Sequence, residues 1–372
     1  MSPMRERRAP WRDMGSLLME KRIIVCVGAG GVGKTTLAAA MAARAARAGR
    51  RVACLTIDPA RRLADSLGVV DEGRDARFSD ITEVLGPDVH DGGFLSFGML
   101  DPVETFNRFV HERTSDSRRA QQILENKLYR YVSGSLSGMQ EYMALEKLSE
   151  LASDESIDLI VLDTPPTANA LDFFTAPRRM MEALDGPLVR MMRRAYGGPG
   201  RIGFDIVGRW AQIVMGAVSR ITGADLLGEI MGFVDALSDL FGSFSERAMT
   251  VEKVLRRDDV AFCLITTPDR ATFRETREFY KKLGEIGIAV NSLIFNRAHW
   301  PEAGEPPEDI PPETMETVRA LNSRWNEAFM REKKLVDRVS EAWGALDTVS
   351  AVPILPCGAG RIDSLDRIGS YL

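Results

Sequence analysis

The nine residues from Gly28 to Thr36, GAGGVGKTT, satisfy the pattern G-x-x-x-x-G-K-[ST], and residue types at that spacing suit a phosphate ligand. Glycines at 28, 30, 31 and 33 let backbone N–H groups converge on phosphate oxygens with no Cβ in the way, and the helix that follows adds its N-terminal dipole. Lys34 is the cation for the β and γ phosphates, and the Thr35 hydroxyl is a ligand for Mg²⁺. Ala29, Val32 and Thr36 complete the nucleotide-contacting segment. Hydrolysis further needs a carboxylate near the metal and a group that orients water. Asp58 and Asp163 stand at the ends of apolar runs, the edge where open α/β sheets bind ligands. Aspartate there also caps turns, so the pair carries the reading, not either residue alone.

Six apolar runs must position these groups: RIIVCVG (22 to 28), RVACLTID (51 to 58), DLIVLDT (158 to 164), VAFCLITT (260 to 267), IAVNSLIFN (288 to 296) and SAVPILP (350 to 356). Continuous Val, Ile and Leu runs of this length suit strands buried on both faces, which predicts an α/β fold with a mostly parallel sheet flanked by helices. TTLAAAMAARAARAG is rich in helix-forming alanine and closes at Gly49, a residue that tolerates the left-handed conformation. After the fourth run, Thr267 is the expected cap and Pro268 suits the first turn of a helix bearing Phe273, Tyr280, Leu283 and Ile286 at helical spacing. Residues 101–150 and 177–257 show few strand signals and read as helical inserts in one domain spanning 21–372; PEAGEPPEDIPP reads as an exposed loop. The first twenty residues read as a loosely ordered arm.

The formal charge of −5 offers no global attraction to a nucleic-acid backbone, and no nucleic-acid partner is expected. Cys26, Cys54 and Cys263 fall inside apolar runs and Cys357 stands apart, with no CxxC clip, so they read as core thiols in a reducing cytoplasm. His90, His111 and His299 are scattered and suggest no transition-metal site. No run has the roughly 20 uncharged residues of a membrane span, so membrane contact is expected to be peripheral at most.

GAGGVGKTT, TIDPARRLADSLG, IDLIVLDTPPT, ITTPDRATFRETREFYKKLG and IFNR, in this order, resemble the ArsA-type ATPases. These are P-loop NTPases with a deviant Walker A loop, and they include arsenite-pump motor subunits and the ATPase that delivers tail-anchored membrane proteins. The resemblance runs from about residue 20 to the end. It implies ATP and Mg²⁺ as cofactors and a dimer, with itself or a paralogue, whose helical subdomain rearranges with nucleotide state. Residue by residue, it implies that Asp58 orients the attacking water, Asp163 supports Mg²⁺ and Asn296 reads the adenine edge. FNRA in place of N-K-x-D favours adenine over guanine.

Three departures stand out. Ala29 takes the place of a lysine that in relatives reaches the partner's phosphates; DTPPTANAL lacks a histidine found after this motif in several relatives; and the interfacial zinc's CxxC is missing. The resemblance also implies a groove for a hydrophobic or membrane-protein client, built from the insert that holds Met180, Met181, Met191, Met192, Met215, Met231 and Met249. Methionines at helical spacing equally fill cores, and four dispersed cysteines give no soft-oxyanion cluster for arsenite. Two other readings stay open: a weakly active nucleotide-binding partner of a paralogous ATPase, and a ParA or MinD-like positioning ATPase. The short, charge-balanced tail RIDSLDRIGSYL argues against the last.

Overall fold

Each of the six apolar runs becomes a strand, and the alternation within them explains how helices cover both sides. A computed structural model describes residues 14–57, 79–87, 89–100, 102–113, 117–125, 139–184, 249–300, 311–343, 346–355 and 362–372. The strands are β1 (Ile23–Gly28), β2 (Arg51–Thr56), β3 (Ser79–Asp80), β4 (Phe94–Met99), β5 (Leu159–Asp163), β6 (Val260–Thr266), β7 (Ser292–Ala298) and β8 (Thr348–Pro353). They form one sheet in the order β3-β4-β2-β5-β1-β6-β7-β8, parallel except for the β3–β4 pair. The helices are α1 (Gly15–Glu20), α2 (Lys34–Arg47), α3 (Pro102–Arg113), α4 (Ser117–Glu125), α5 (Met139–Ala152), α6 (Thr167–Leu184), α7 (Arg270–Glu285), α8 (Pro312–Ala342) and α9 (Ile362–Tyr371).

Ile24 and Cys26 of β1, Val52 and Cys54 of β2, Val161 of β5 and Cys263 and Ile265 of β6 share one buried cluster with the alanines, Leu37 and Met41 of α2. Their neighbours Val25, Leu55, Leu162 and Leu264 are equally buried and, by strand alternation, face the other side. Helix α2 ends as its sequence predicts: Gly49 adopts φ +95°, and Gly49 N–H and Arg50 N–H donate to the carbonyls of Ala46 (3.0 Å) and Ala45 (3.1 Å), a Schellman closure. Helix α9 packs on α2, where Arg44 donates to Gly369 O (3.1 Å) and Arg47 pairs with Asp366 (2.8 Å).

Four findings correct or extend the sequence reading. Residues 15–20 are helical and not a loose arm: Leu17 and Leu18 are buried, and Arg50 donates to the carbonyls of Leu18 (2.6 Å) and Lys21 (2.8 Å). A six-residue helix has too few turns to show a period and is held by these tertiary contacts. The cap of α7 is Asp269 and not Thr267, because its carboxylate accepts from both Ala271 N (3.1 Å) and Thr272 N (2.9 Å). Pro268 precedes that helix, and Thr267 Oγ1 instead supports the Asp269 carboxylate. Strand β4 and the long helix α8 were not anticipated.

The chain divides into two compact units. One comprises Met1–Leu100, Leu151–Leu171 and Arg256–Leu372 and carries the sheet; the other comprises Asp101–Glu150 and Asp172–Leu255 and is helical in its described residues. In the second unit Phe106, Phe109, Tyr142 and Phe173 are buried. Of the methionines in the expected client groove, Met191, Met192, Met215 and Met231 lie outside the described residues, Met180 and Met181 fall within α6, and Met249 is 48% exposed. Among the described residues no helix is long and apolar enough to cross a membrane.

At the edge of the sheet away from the glycine loop, Arg51 grips Asp158 through Nε (3.0 Å), Nη2 (2.6 Å) and its backbone N–H (2.8 Å). The Arg51 side-chain hydrogen bonds hold the Asp158 carboxyl down at about 2, below the ordinary carboxylate value of 3.8. A depressed folded-state value means stability that is present above pH ~4 and lost as pH falls through about 2. Asp158→Asn is therefore expected to lower the denaturation midpoint at pH 7 and to match wild type near pH 2. A gap that stayed constant across that range would contradict the assignment.

Candidate nucleotide site

Strand β1 lies between β5 and β6, and its two neighbours lead to opposite halves of the sheet, which opens a crevice at its carboxyl end. The loop Ala29–Gly33 fills that place. Ala29 and Val32 turn inward and are 2% exposed, whereas Gly30 and Gly31 face outward. Glycine is required at two positions for identifiable reasons. A Cβ at Gly28 would lie 2.2 Å from Ile265 O, and one at Gly33, where φ is +92°, would lie 2.3 Å from Asn296 Nδ2. At Gly31 a Cβ would meet no atom, and there it is the φ of +77° that favours glycine. Gly33 is the N-cap of α2, and the first intrahelical bond runs from Leu37 N–H to Gly33 O (3.0 Å). The N–H groups of the first turn have no helical acceptor, and the helix dipole favours an anion there.

Lys34 is 7% exposed, and its Nζ donates to Ala29 O at 2.9 Å, so the ammonium closes the loop on itself. Thr35 Oγ1 donates to Asp163 Oδ2 at 2.7 Å, and Thr56 Oγ1 reaches the same oxygen at 3.2 Å. Asp163 is 1% exposed, at the end of β5 beside β1 and β2. Thr164 Oγ1 donates to Cys26 O (2.7 Å), which holds the turn after Asp163 against β1. A hydroxyl and a carboxylate, hard oxygens in contact beside an open glycine cradle, are the donor chemistry that Mg²⁺ takes when it also binds phosphate. The residues present fit that ion.

The structure brings Gly28 to Thr36, Asp163 and Asn296 together. Asn296 is 8% exposed; its Nδ2 donates to Val32 O (2.8 Å) and its Oδ1 accepts from Arg297 N–H (3.0 Å). Its amide therefore braces the phosphate loop from β7. Asp58 lies outside the described residues; Ile57 N–H donates to Asp163 O (3.2 Å), so β2 leaves the sheet beside Asp163. Thr36 is half-buried one residue beyond Thr35. Sequence reasoning missed Thr56, although its place two residues before Asp58, at the end of an apolar run, was a usable signal.

Cys26, Cys54 and Cys263 are core residues. Cys26 and Cys263 are opposite one another across β1 and β6, and Cys54 is on β2. Burial raises all three thiols well above the ordinary thiol value, Cys263 to about 12. Thiols so held are poor ligands for a soft ion, because the thiolate is the ligating form. Cys357 lies outside the described residues.

Comparison with known proteins extends the picture along the chain. Residues 21–371 match the model of a family described as anion-transporting ATPase. "Protein Rv2184c" of Mycobacterium tuberculosis is 30% identical over 280 residues, covering 75% of this chain and 59% of that protein, so the match spans less than two thirds of this relative. "Putative arsenical pump-driving ATPase 1" of Aquifex aeolicus is 23% identical over 358 residues, 94% of this chain and 78% of its own length. "ATPase GET3" of Malassezia globosa is 22% identical over 292 residues, 76% and 74% of the two chains.

Proposed function

Because the chain belongs to the ArsA-type, anion-transporting ATPase family, we propose that it binds ATP with Mg²⁺ and hydrolyses the terminal phosphoanhydride bond. The observation that carries this reading is the Lys34, Thr35 and Asp163 constellation at the mouth of the glycine loop. In the reading, first-turn amides of α2 hold the β and γ phosphates, and Lys34 exchanges the Ala29 carbonyl for a phosphate oxygen. Thr35 and Asp163 would hold Mg²⁺, which would neutralise the charge that develops on the phosphates. Asp58 orients a water for in-line attack on the γ phosphorus; the bond to the β–γ bridging oxygen breaks, and ADP and phosphate leave. Asn296 keeps one Nδ2 hydrogen beyond the one given to Val32, and it is this hydrogen that would meet the adenine edge.

Dimerisation and a hydrophobic or membrane-protein client rest on the family resemblance, with the helical unit as the element that would respond to nucleotide. A second reading is favoured by one observation. Ala29 offers no charge and is buried, so the cation that relatives place there is absent and turnover is slow unless another group replaces it. In that reading the chain binds ATP tightly and serves an active paralogue. Calorimetric titration with ATP, with and without Mg²⁺, followed by phosphate-release assays of the chain alone, separates the two. Mg²⁺-dependent binding with turnover supports the first reading and binding without turnover the second. Absence of Mg²⁺-dependent affinity in folded protein would reject both.

A further inference from the structure

Ala29 gives the glycine loop no charge at its second position, and the same edge of the sheet carries a cation that the loop motif does not explain. Among the described residues Arg297 is the one non-glycine residue with positive φ, at +57°. It occupies an irregularity in β7, where the register with β8 shifts between Phe295 and Ala298. An arginine in the left-handed region is strained, because its Cβ crowds the following carbonyl, and such strain persists where the surrounding structure imposes it. What imposes it here is Asn296: the side-chain amide that donates to Val32 O accepts the N–H of Arg297. One planar amide thus spans from the phosphate loop to the backbone of Arg297. The bulge keeps Asn296 buried against Gly33 while leaving Arg297 exposed at the carboxyl edge of the sheet. Among the described residues the Arg297 guanidinium makes no hydrogen bond or ion pair.

We propose that Arg297 is a second phosphate-binding cation of this site, reaching the triphosphate of ATP from the β7 side in place of the charge that Ala29 lacks. The inference rests on the ATP reading given above. A structural arginine would be folded onto a carboxylate or a carbonyl. A strained backbone held by the phosphate loop's own brace, with an unclaimed guanidinium, instead fits a pre-positioned anion ligand, since a planar fork of N–H donors matches phosphate oxygens.

The test compares wild type, Arg297→Gly and Arg297→Lys for affinity toward ATP, ADP and adenosine, and for melting temperature. Glycine removes the charge and relieves the strain, so a purely structural arginine and a phosphate ligand give different results. The expected outcome for Arg297→Gly is a Kd for ATP raised by about tenfold or more, a smaller change for ADP and none for adenosine, with a melting temperature that is not lowered. Arg297→Lys is expected to retain most of the ATP affinity. Should Arg297→Gly fail to fold, Arg297→Gln is read by the same criteria. An ATP affinity within twofold of wild type, or an equal loss for adenosine and ATP, overturns the proposal. Failure of wild type itself to bind ATP would instead reject the ATP reading on which the proposal rests.

Discussion

Replacing Lys34 by alanine will lower ATP-dependent phosphate release by about 10²–10³-fold, the range seen when one pre-positioned donor to a transition state is removed. Lys34 is 7% exposed, and its ammonium is already held at the mouth of the loop by Ala29 O, 2.9 Å away. It therefore needs little reorganisation to meet a phosphate oxygen. The fold should survive the change. Alanine is a good residue for the first turn of α2, and the Ala29 carbonyl loses one hydrogen bond, a cost of about 1 kcal/mol. A thermal shift distinguishes lost binding from lost folding: ATP at 100 times its Kd raises the stability of a binding-competent protein by about 2.7 kcal/mol, and the variant should show little of this gain. Equal turnover in wild type and Lys34→Ala would mean that the loop is not where the chemistry happens.

The second large effect is expected at Asp163. Asparagine keeps the shape and one acceptor oxygen for Thr35 and Thr56, whose hydroxyls now meet Oδ2 at 2.7 and 3.2 Å. What it loses is the negative charge that a divalent cation requires from this side. Asp163→Asn should therefore fold and bind ATP in EDTA much as wild type does, while losing the extra affinity that Mg²⁺ confers and about 10²-fold or more in turnover. Titrating Mg²⁺ at fixed ATP reads this directly. A variant with an undiminished Mg²⁺ response would remove Asp163 from the ion's surroundings.

Much of the site was legible because its parts are local and chemically narrow. A glycine loop between an apolar run and an alanine-rich helix has few alternatives, and Gly49 closes α2 with the geometry its sequence predicts. Other parts escaped because their cause is tertiary. Strand β4 contains Ser96 and Gly98, which weaken the apolar signal; Ser96 is nonetheless buried and donates to Val52 O (3.2 Å) across the pairing with β2. Helix α8 has no buried residue described before Val336, so its amphipathic period was faint. Asn296 was legible as a site residue, but its brace to Val32 depends on a partner 264 residues away in the chain, and the φ of Arg297 follows from that brace. The family resemblance supplied what position alone did not, the separate roles expected of Asp58 and Asp163.

Thr35 meets Asp163 across 128 residues of chain, and Val32 meets Asn296 across 264. During synthesis the glycine loop therefore emerges long before the residues that brace it. At the usual elongation rate of about 5–20 residues per second, the interval between Val32 and Asn296 is roughly 13–53 s. A ribosome-bound fragment ending before β7 would carry a recognisable phosphate motif and still lack the bracket that shapes it, so nucleotide capture should begin only late in translation.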